Sequence, residues 1–346
     1  MQRRISSLVG LTAVGAALTL LVGCSATAGG GHGDITTLVQ ANGKVTYQDL
    51  TTSLGVPTGS HNTTLCYVTR TLSNEFWGFE NEGFEAEAKK RGVQYKTFDV
   101  TDESSITEQL DKAKSAMNQG CDAILTSPIS ATGLDSVFSD AIAKGVPAIV
   151  LNDAKSTLPG TVYVGPDALT IGKTAADYIA NKLPNGGKVA MIEGDPGSSN
   201  ALNRGQGFKN GLTSHPTLNL VASQTANWDQ TKAEDIATAM LTANPDLAAF
   251  YVQNDTMALG VIAAVANAHL TGKVLVVGND GIPEAKKQIQ QGAMTATVSE
   301  RPVTEGTVGV DAALWLLAGK KVPEWIDAPA FVIDAADVGH YQTGMP

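Results

Sequence analysis

Residues able to do chemistry recur at one kind of place in this 346-residue chain, just after short apolar runs. Asn74, Phe76 and Trp77 follow "TLCYVT", and Asn152 and Asp153 close "PAIVLN". Arg204 comes soon after "KVAMIE" and "GDPGSSN", and Trp228 follows "NLVASQ". Asn254, Asp280 and Glu300 each stand at or just past the end of another such run. Aromatic rings, amides, carboxylates and one guanidinium suit a polyhydroxylated ligand: its C–H faces stack on rings, while its hydroxyls both donate and accept hydrogen bonds. A small apolar ligand needs far fewer polar groups. Each residue also has an ordinary structural use, since Ser73 and Asp255 can cap helices, an asparagine can hold a turn and a lone tryptophan is often core. Their common position favours a site. Within "QND", Asp255 is expected to cap the next helix and Asn254 to face the ligand, with Gln253 left unassigned.

Catalytic patterns are weaker. The five histidines are scattered without metal-ligand spacing, and no GxSxG nucleophile turn occurs. "GKT" at Gly172 to Thr174 lacks the earlier phosphate-loop glycine, which is Asp167, and sits within a helical pattern. "RGQGFKNG" lacks the third glycine of a dinucleotide turn. No CxxC pair is present, so neither a cofactor nor a metal is expected. Carboxylate pairs such as Glu80 with Glu87, or Asp99 with Asp102, read as solvated helix charge. Asp280 and Glu300 differ because each follows a strand directly.

The elements that must carry these residues are legible from Thr63 onward. Short β-branched runs alternate with amphipathic stretches such as "EFWGFENEGFEAEAKKRG", where Phe76, Phe79 and Phe84 share a face. Near-continuous apolar strands separated by helices indicate parallel sheets covered on both faces. The units fall into two halves, each the size of a domain. The expected fold is therefore α/β, with two doubly wound parallel-sheet lobes. One lobe comprises residues 63–166 plus 300–328, the other 167–299 plus 329–346. Ligands of open parallel sheets bind beyond the carboxyl ends of the strands, so two facing sheets form a cleft.

Before Thr63 the reading is sparser. Arg3 and Arg4 precede an apolar run from Leu8 to Leu21, interrupted by glycine and too short for a comfortable bilayer span, so residues 1–23 read as an export signal. Residues 24–62 read as a tether, beginning with the Gly- and Ser-rich "SATAGGGHG". The formal charge is −10; without Arg3 and Arg4, 22 of the 24 basic residues face 34 acidic ones, a net of −12. Such a surface repels nucleic acid phosphates. Cys66 and Cys121 each lie near a strand start, and both a disulfide and two buried thiols suit an exported chain.

These residues carry a resemblance. "LVGC" at Leu21 to Cys24 resembles a bacterial lipobox, which implies a lipid on Cys24. "RTLSNEFWGF", "RGQGF", "ANWDQTK", "QNDTMALG" and "GNDGIP" resemble the type I periplasmic sugar-binding proteins, most closely the ribose-binding branch, over roughly residues 63–334. The resemblance implies a two-lobed fold with a three-crossover hinge near Pro166, Ser299 to Glu300, and Ala328 to Pro329. It also implies a monomeric, lipid-anchored binding component of an ABC importer that hands its solute to a membrane permease. By that resemblance Asn74, Phe76 and Trp77 form a first-strand clamp, Arg204 and Trp228 contact the ligand, and Asn254 and Asp280 are polar strand ends. The chain departs from ribose binders at Asn152-Asp153, where they carry Asp-Arg, at Glu300, where they carry Gln, and at Pro166, near the first crossover, where they carry serine. The ligand is therefore expected to be a monosaccharide or sugar alcohol other than ribose. Two other readings are a receptor for a sugar-like signalling molecule and an exported carbohydrate-active enzyme using Asp280 and Glu300, a pair that would have to flank a glycosidic bond.

Overall fold

The computed structural model describes residues 34–153 and 155–341, so the export signal and Cys24 lie outside the described residues. Successive side chains of the strands enter different cores. β2 (Thr64–Val68) sends Leu65 and Tyr67 against Phe84 and Ala88 of α2 (Glu75–Arg91). Its Cys66 and Val68 face Ala113 of α3 (Ile106–Asn118) and Phe138 of α4 (Asp135–Ala143). β9 (Leu247–Val252) divides in the same way, Phe250 and Val252 facing α7 (Gln230–Ala243) and α8 (Asp255–Asn267). Its Ala249 and Tyr251 face α5 (Ala168–Lys182) and α6 (Ser199–Thr213). Strands apolar on both sides need helices on both faces.

Two sheets result. The first has the order β1 (Val39–Thr46), β12 (Val322–Asp327), β6 (Thr161–Gly165), β5 (Ala148–Leu151), β4 (Ala123–Thr126), β2, β3 (Gln94–Phe98), with every pair parallel. The second has the order β13 (Phe331–Asp334), β11 (Ala296–Ser299), β10 (Leu275–Asp280), β9, β7 (Gly187–Glu193), β8 (Leu218–Thr225). Only β13 runs antiparallel there, as an edge. The chain passes between the sheets three times, after β6, after β11 and after β12. Each sheet with its helices is one lobe.

Close helix contact explains the two glycine motifs that resembled phosphate turns. A Cβ on Gly172 of α5 would lie 2.0 Å from the Arg204 carbonyl oxygen of α6, and one on Gly207 would lie 2.0 Å from that of Leu169. The glycines let α6 lie flat on α5, which fixes the position of Arg204. Cys66 on β2 and Cys121, just before the neighbouring β4, are joined by a disulfide with Cα atoms 5.8 Å apart.

The structure departs from the tether read over residues 24–62. From Asp34 the chain folds into a short 3-10 turn (Ile35–Thr37), β1 and α1 (Tyr47–Leu54), and β1 forms the edge of the first sheet beside β12. Ile35 and Leu50 are buried. Tyr47 Oη donates to Asp311 Oδ2 at 2.7 Å, and Arg91 grips the same carboxylate through Nε at 2.9 Å and Nη2 at 2.8 Å. Trp315 Nε1 of α10 (Pro302–Leu317) donates to Gly55 O at 3.0 Å. β1 escaped the pattern because it is a mostly exposed edge strand, broken at Asn42-Gly43 where its register shifts. β6 and β12 were also absent from the strands expected; "VPEWID" carries a proline and two acids, and its apolar residues do not alternate cleanly. Leu50→Ala is expected to lower stability by about 2 kcal/mol or more in urea denaturation. No change would return this segment to the status of a tether.

Candidate functional site

The strand ends converge on a cavity lined by residues of both lobes. Nine of the ten sequence-predicted residues line it: Asn74, Phe76, Trp77, Asn152, Asp153, Arg204, Trp228, Asn254 and Asp280. Glu300 does not. It is wholly buried behind the wall, where its carboxylate accepts from Asn152 Nδ2 at 2.8 Å, Arg204 Nη2 at 2.5 Å and Asn279 Nδ2. Arg70, Glu103 and Asn200 line the cavity without having been expected.

The first lobe's wall grows out of the start of α2. Asn74 is the N-cap, its Oδ1 accepting from Phe76 N at 3.1 Å, so its Nδ2 is left to donate to Glu103 Oε2 at 3.0 Å. Ser73 is not the cap. Phe76 and Trp77 meet edge to face with centroids 4.8 Å apart, and Trp77 Nε1 donates to Glu103 Oε1 at 2.7 Å. The Arg70 guanidinium lies over the Trp77 ring at 4.7 Å and bonds Asp153 Oδ2 at 2.5 Å. Arg70, just past the end of β2, thus brings a guanidinium to the wall beside position 153. Position 70 was overlooked because an arginine directly after a buried strand reads as a boundary charge; its carbon chain is covered and only the fold shows where the head points.

The second lobe mirrors this arrangement. Arg204 Nη1 donates to Gln253 O at 2.8 Å and lies 3.9 Å from Asp280 Oδ1, and its guanidinium sits 6.0 Å from the Trp228 ring. Burial works against the arginine's charge, but Glu300 and Asp280 outweigh it and hold its pKa above the ordinary value. Asn227 and Trp228 both adopt positive φ, at 56° and 64°, which turns the indole onto Gly194; a Cβ on Gly194 would lie 2.1 Å from that ring. Each lobe therefore offers one indole with one guanidinium over it.

Within "QND" the capping role expected of Asp255 falls to Asn254. Asn254 is the helix cap, its Oδ1 accepting from Met257 N at 2.9 Å, and it still lines the cavity. Asp255 is wholly buried and accepts from Gly281 N at 2.7 Å, Ile282 N at 3.1 Å and Thr297 Oγ1 at 2.8 Å, which fixes the turn that carries Asp280. Asp280 itself has φ 120°, a conformation held by that turn. Gln253 is structural: Oε1 accepts from Gly194 N at 2.9 Å and Nε2 donates to Ala201 O at 3.0 Å, tying β9 to the loop before α6.

A model of the periplasmic binding protein domain matches residues 65–321. The chain belongs to the type I periplasmic sugar-binding protein family. This periplasmic binding protein is 39% identical to the D-allose-binding periplasmic protein of Escherichia coli (strain K12), over 76% of this chain and 88% of that one. It is 35% identical to a ribose import binding protein of Bacillus subtilis (strain 168), over 75% and 83% of the two chains. A solved ABC transporter periplasmic solute binding protein from Actinobacillus succinogenes 130z, with bound D-allose, superposes with a TM-score of 0.78 at 30% identity, covering 81% of this chain and all of that one.

Acids outnumber cations around the cavity. On α2, Glu80 accepts from Ser127 Oγ at 2.6 Å and from Tyr67 Oη, and Glu305 of α10 lies against the same helix. Both carboxyls are wholly buried. Burial pushes Glu80 up to about 7 despite those bonds, and burial with the charges of Glu80 and Glu300 pushes Glu305 well above the carboxylate range. The folded state then holds protons that the unfolded chain has released, so this pair's contribution to stability falls as pH rises from about 4.5 to about 7. Glu305→Gln keeps the side-chain shape without the acid. It is expected to flatten the pH dependence of urea stability over that window; an unchanged slope would contradict the raised pKa of Glu305.

Proposed function

We propose that this protein is the extracytoplasmic binding component of an ABC importer, capturing a neutral monosaccharide of the allose and ribose class between its lobes. The observation that carries the reading is the pair of guanidinium-topped indoles on opposite walls, Arg70 with Trp77 and Arg204 with Trp228. Beside them, Arg70 Nε, Arg204 Nε and Trp228 Nε1 are buried without an acceptor among the described residues. A sugar places C–H faces on the rings and ring or hydroxyl oxygens on those N–H groups. The carboxylates of Glu103, Asp153, Asp280 and Glu300 around two guanidiniums disfavour an acidic sugar.

Arg70 and Glu103 add a polar pole at the Trp77 end of the cavity, which supports a hexose over a pentose. The D-allose-binding relative and the solved structure with bound D-allose make D-allose the first candidate. The enzymatic alternative is disfavoured because Glu300 lies behind the cavity wall, its carboxylate engaged by Asn152 and Arg204. Closure of the lobes at the three crossovers and delivery to a permease follow from the reading, as does a monomer held to the membrane by a lipid on Cys24.

A thermal-shift panel of D-allose, D-ribose, D-glucose and xylitol tests the ligand class, since a ligand that binds only the folded state raises the melting temperature. D-allose is expected to give the largest shift, and Arg204→Ala to abolish it; no shift with any of the four would overturn the assignment. For the anchor, Cys24→Ala is expected to move the protein from the membrane fraction to the soluble one. Retention in the membrane would exclude Cys24 as the attachment point.

A further inference from the structure

The cavity wall contains a carboxylate whose oxygens are already occupied. Asp153, on the loop after β5 in the first lobe, is only 1% exposed. Its Oδ2 accepts from Arg70 Nη2 of its own lobe at 2.5 Å and from Ser198 Oγ of the other lobe at 2.6 Å. Its Oδ1 accepts from the backbone N–H of Asn200 at 2.9 Å, also across the cleft. Beside it, Asn200 Nδ2 donates to Asn152 Oδ1 at 2.8 Å. Three hydrogen bonds therefore join two adjacent residues of one lobe to the start of one helix of the other.

The receiving helix is suited to this acid. Ser198 caps α6, and the first turn of α6 carries no acidic residue of its own. The unpaired N–H groups and positive dipole end of a helix start favour a carboxylate there, and in this protein the carboxylate comes from the opposite lobe. Arg70 holds it in place from behind, with Nη2 also donating to Pro128 O.

We propose that Asp153 is a closure latch, a positioning residue that fastens the lobes directly to each other so that part of the protein is closed before any solute enters. The idea rests on the reading of the cavity as a cleft that opens and closes. A preformed closed population raises apparent affinity by the fraction already closed. Breaking the latch at Ser198, which does not line the cavity, therefore weakens binding without removing a group from the ligand.

Small-angle X-ray scattering of the ligand-free protein tests this. The wild type is expected to have a smaller radius of gyration than Asp153→Asn or Ser198→Ala, and saturating D-allose should bring all three to one value. Both variants should bind D-allose about tenfold more weakly, the scale of one hydrogen bond to a charged group. Ser198→Ala leaves the Arg70 pair intact and serves if Asp153→Asn does not fold. Equal ligand-free radii in wild type and Ser198→Ala would overturn the latch. Because that comparison needs no ligand, it is read even if D-allose fails to bind, an outcome that would instead count against the proposed function.

Discussion

A buried guanidinium organises the second lobe's half of the cleft. Arg204 is held by the Gln253 carbonyl, by Glu300 at 2.5 Å and by the field of Asp280, with Trp228 beneath it. Each of those partners ends a different strand or crossover, so one cation gathers β9, β10, the exit of β11 and the loop after β8. Leaving such a group unpaired in a dry interior costs several kcal/mol, and this constrains its surroundings more tightly than any apolar contact. Gly172 and Gly207 follow from the same need, because α6 must approach α5 closely to place the arginine.

Glu300 shows how a departure from a family pattern is absorbed. The acid turns inward to Arg204 and Asn152, so one side chain at the hinge touches both lobes. Burial pushes the carboxyls of Asp255, Asp280, Glu80 and Glu305 nearby above the ordinary carboxylate range. The interior of the hinge region is thus polar, crowded and sensitive to protonation, while the cavity it supports is lined by rings, amides and charged side chains.

Most of the sheet architecture was legible because buried parallel strands read as continuous apolar runs and their helices carry a clear face. β1 was not, since an exposed edge strand needs neither pattern, and its anchoring depends on Asp311, more than two hundred residues away. Nine of the ten residues picked from the sequence line the cavity because strand ends of an open sheet face one cleft. Arg70 and Glu103 were missed because their partners, Trp77, Asp153 and Asn74, become neighbours only after β2, α2 and the loop before α3 are packed together. The cap was assigned to Asp255 rather than Asn254 for a local reason: both residue types cap helices well, and only the buried turn of Gly281 and Ile282 draws the Asp255 carboxylate inward.

The central claim is that a sugar is held between Trp77 and Trp228. The most direct measurement is a D-allose titration followed by intrinsic fluorescence in the wild type and in Trp77→Phe/Trp228→Phe; the remaining tryptophans, Trp315 and Trp325, lie outside the cavity lining. The account predicts a saturable single-site change in the wild type that vanishes in the double variant. No change in the wild type, or one that persists in the double variant, would contradict it.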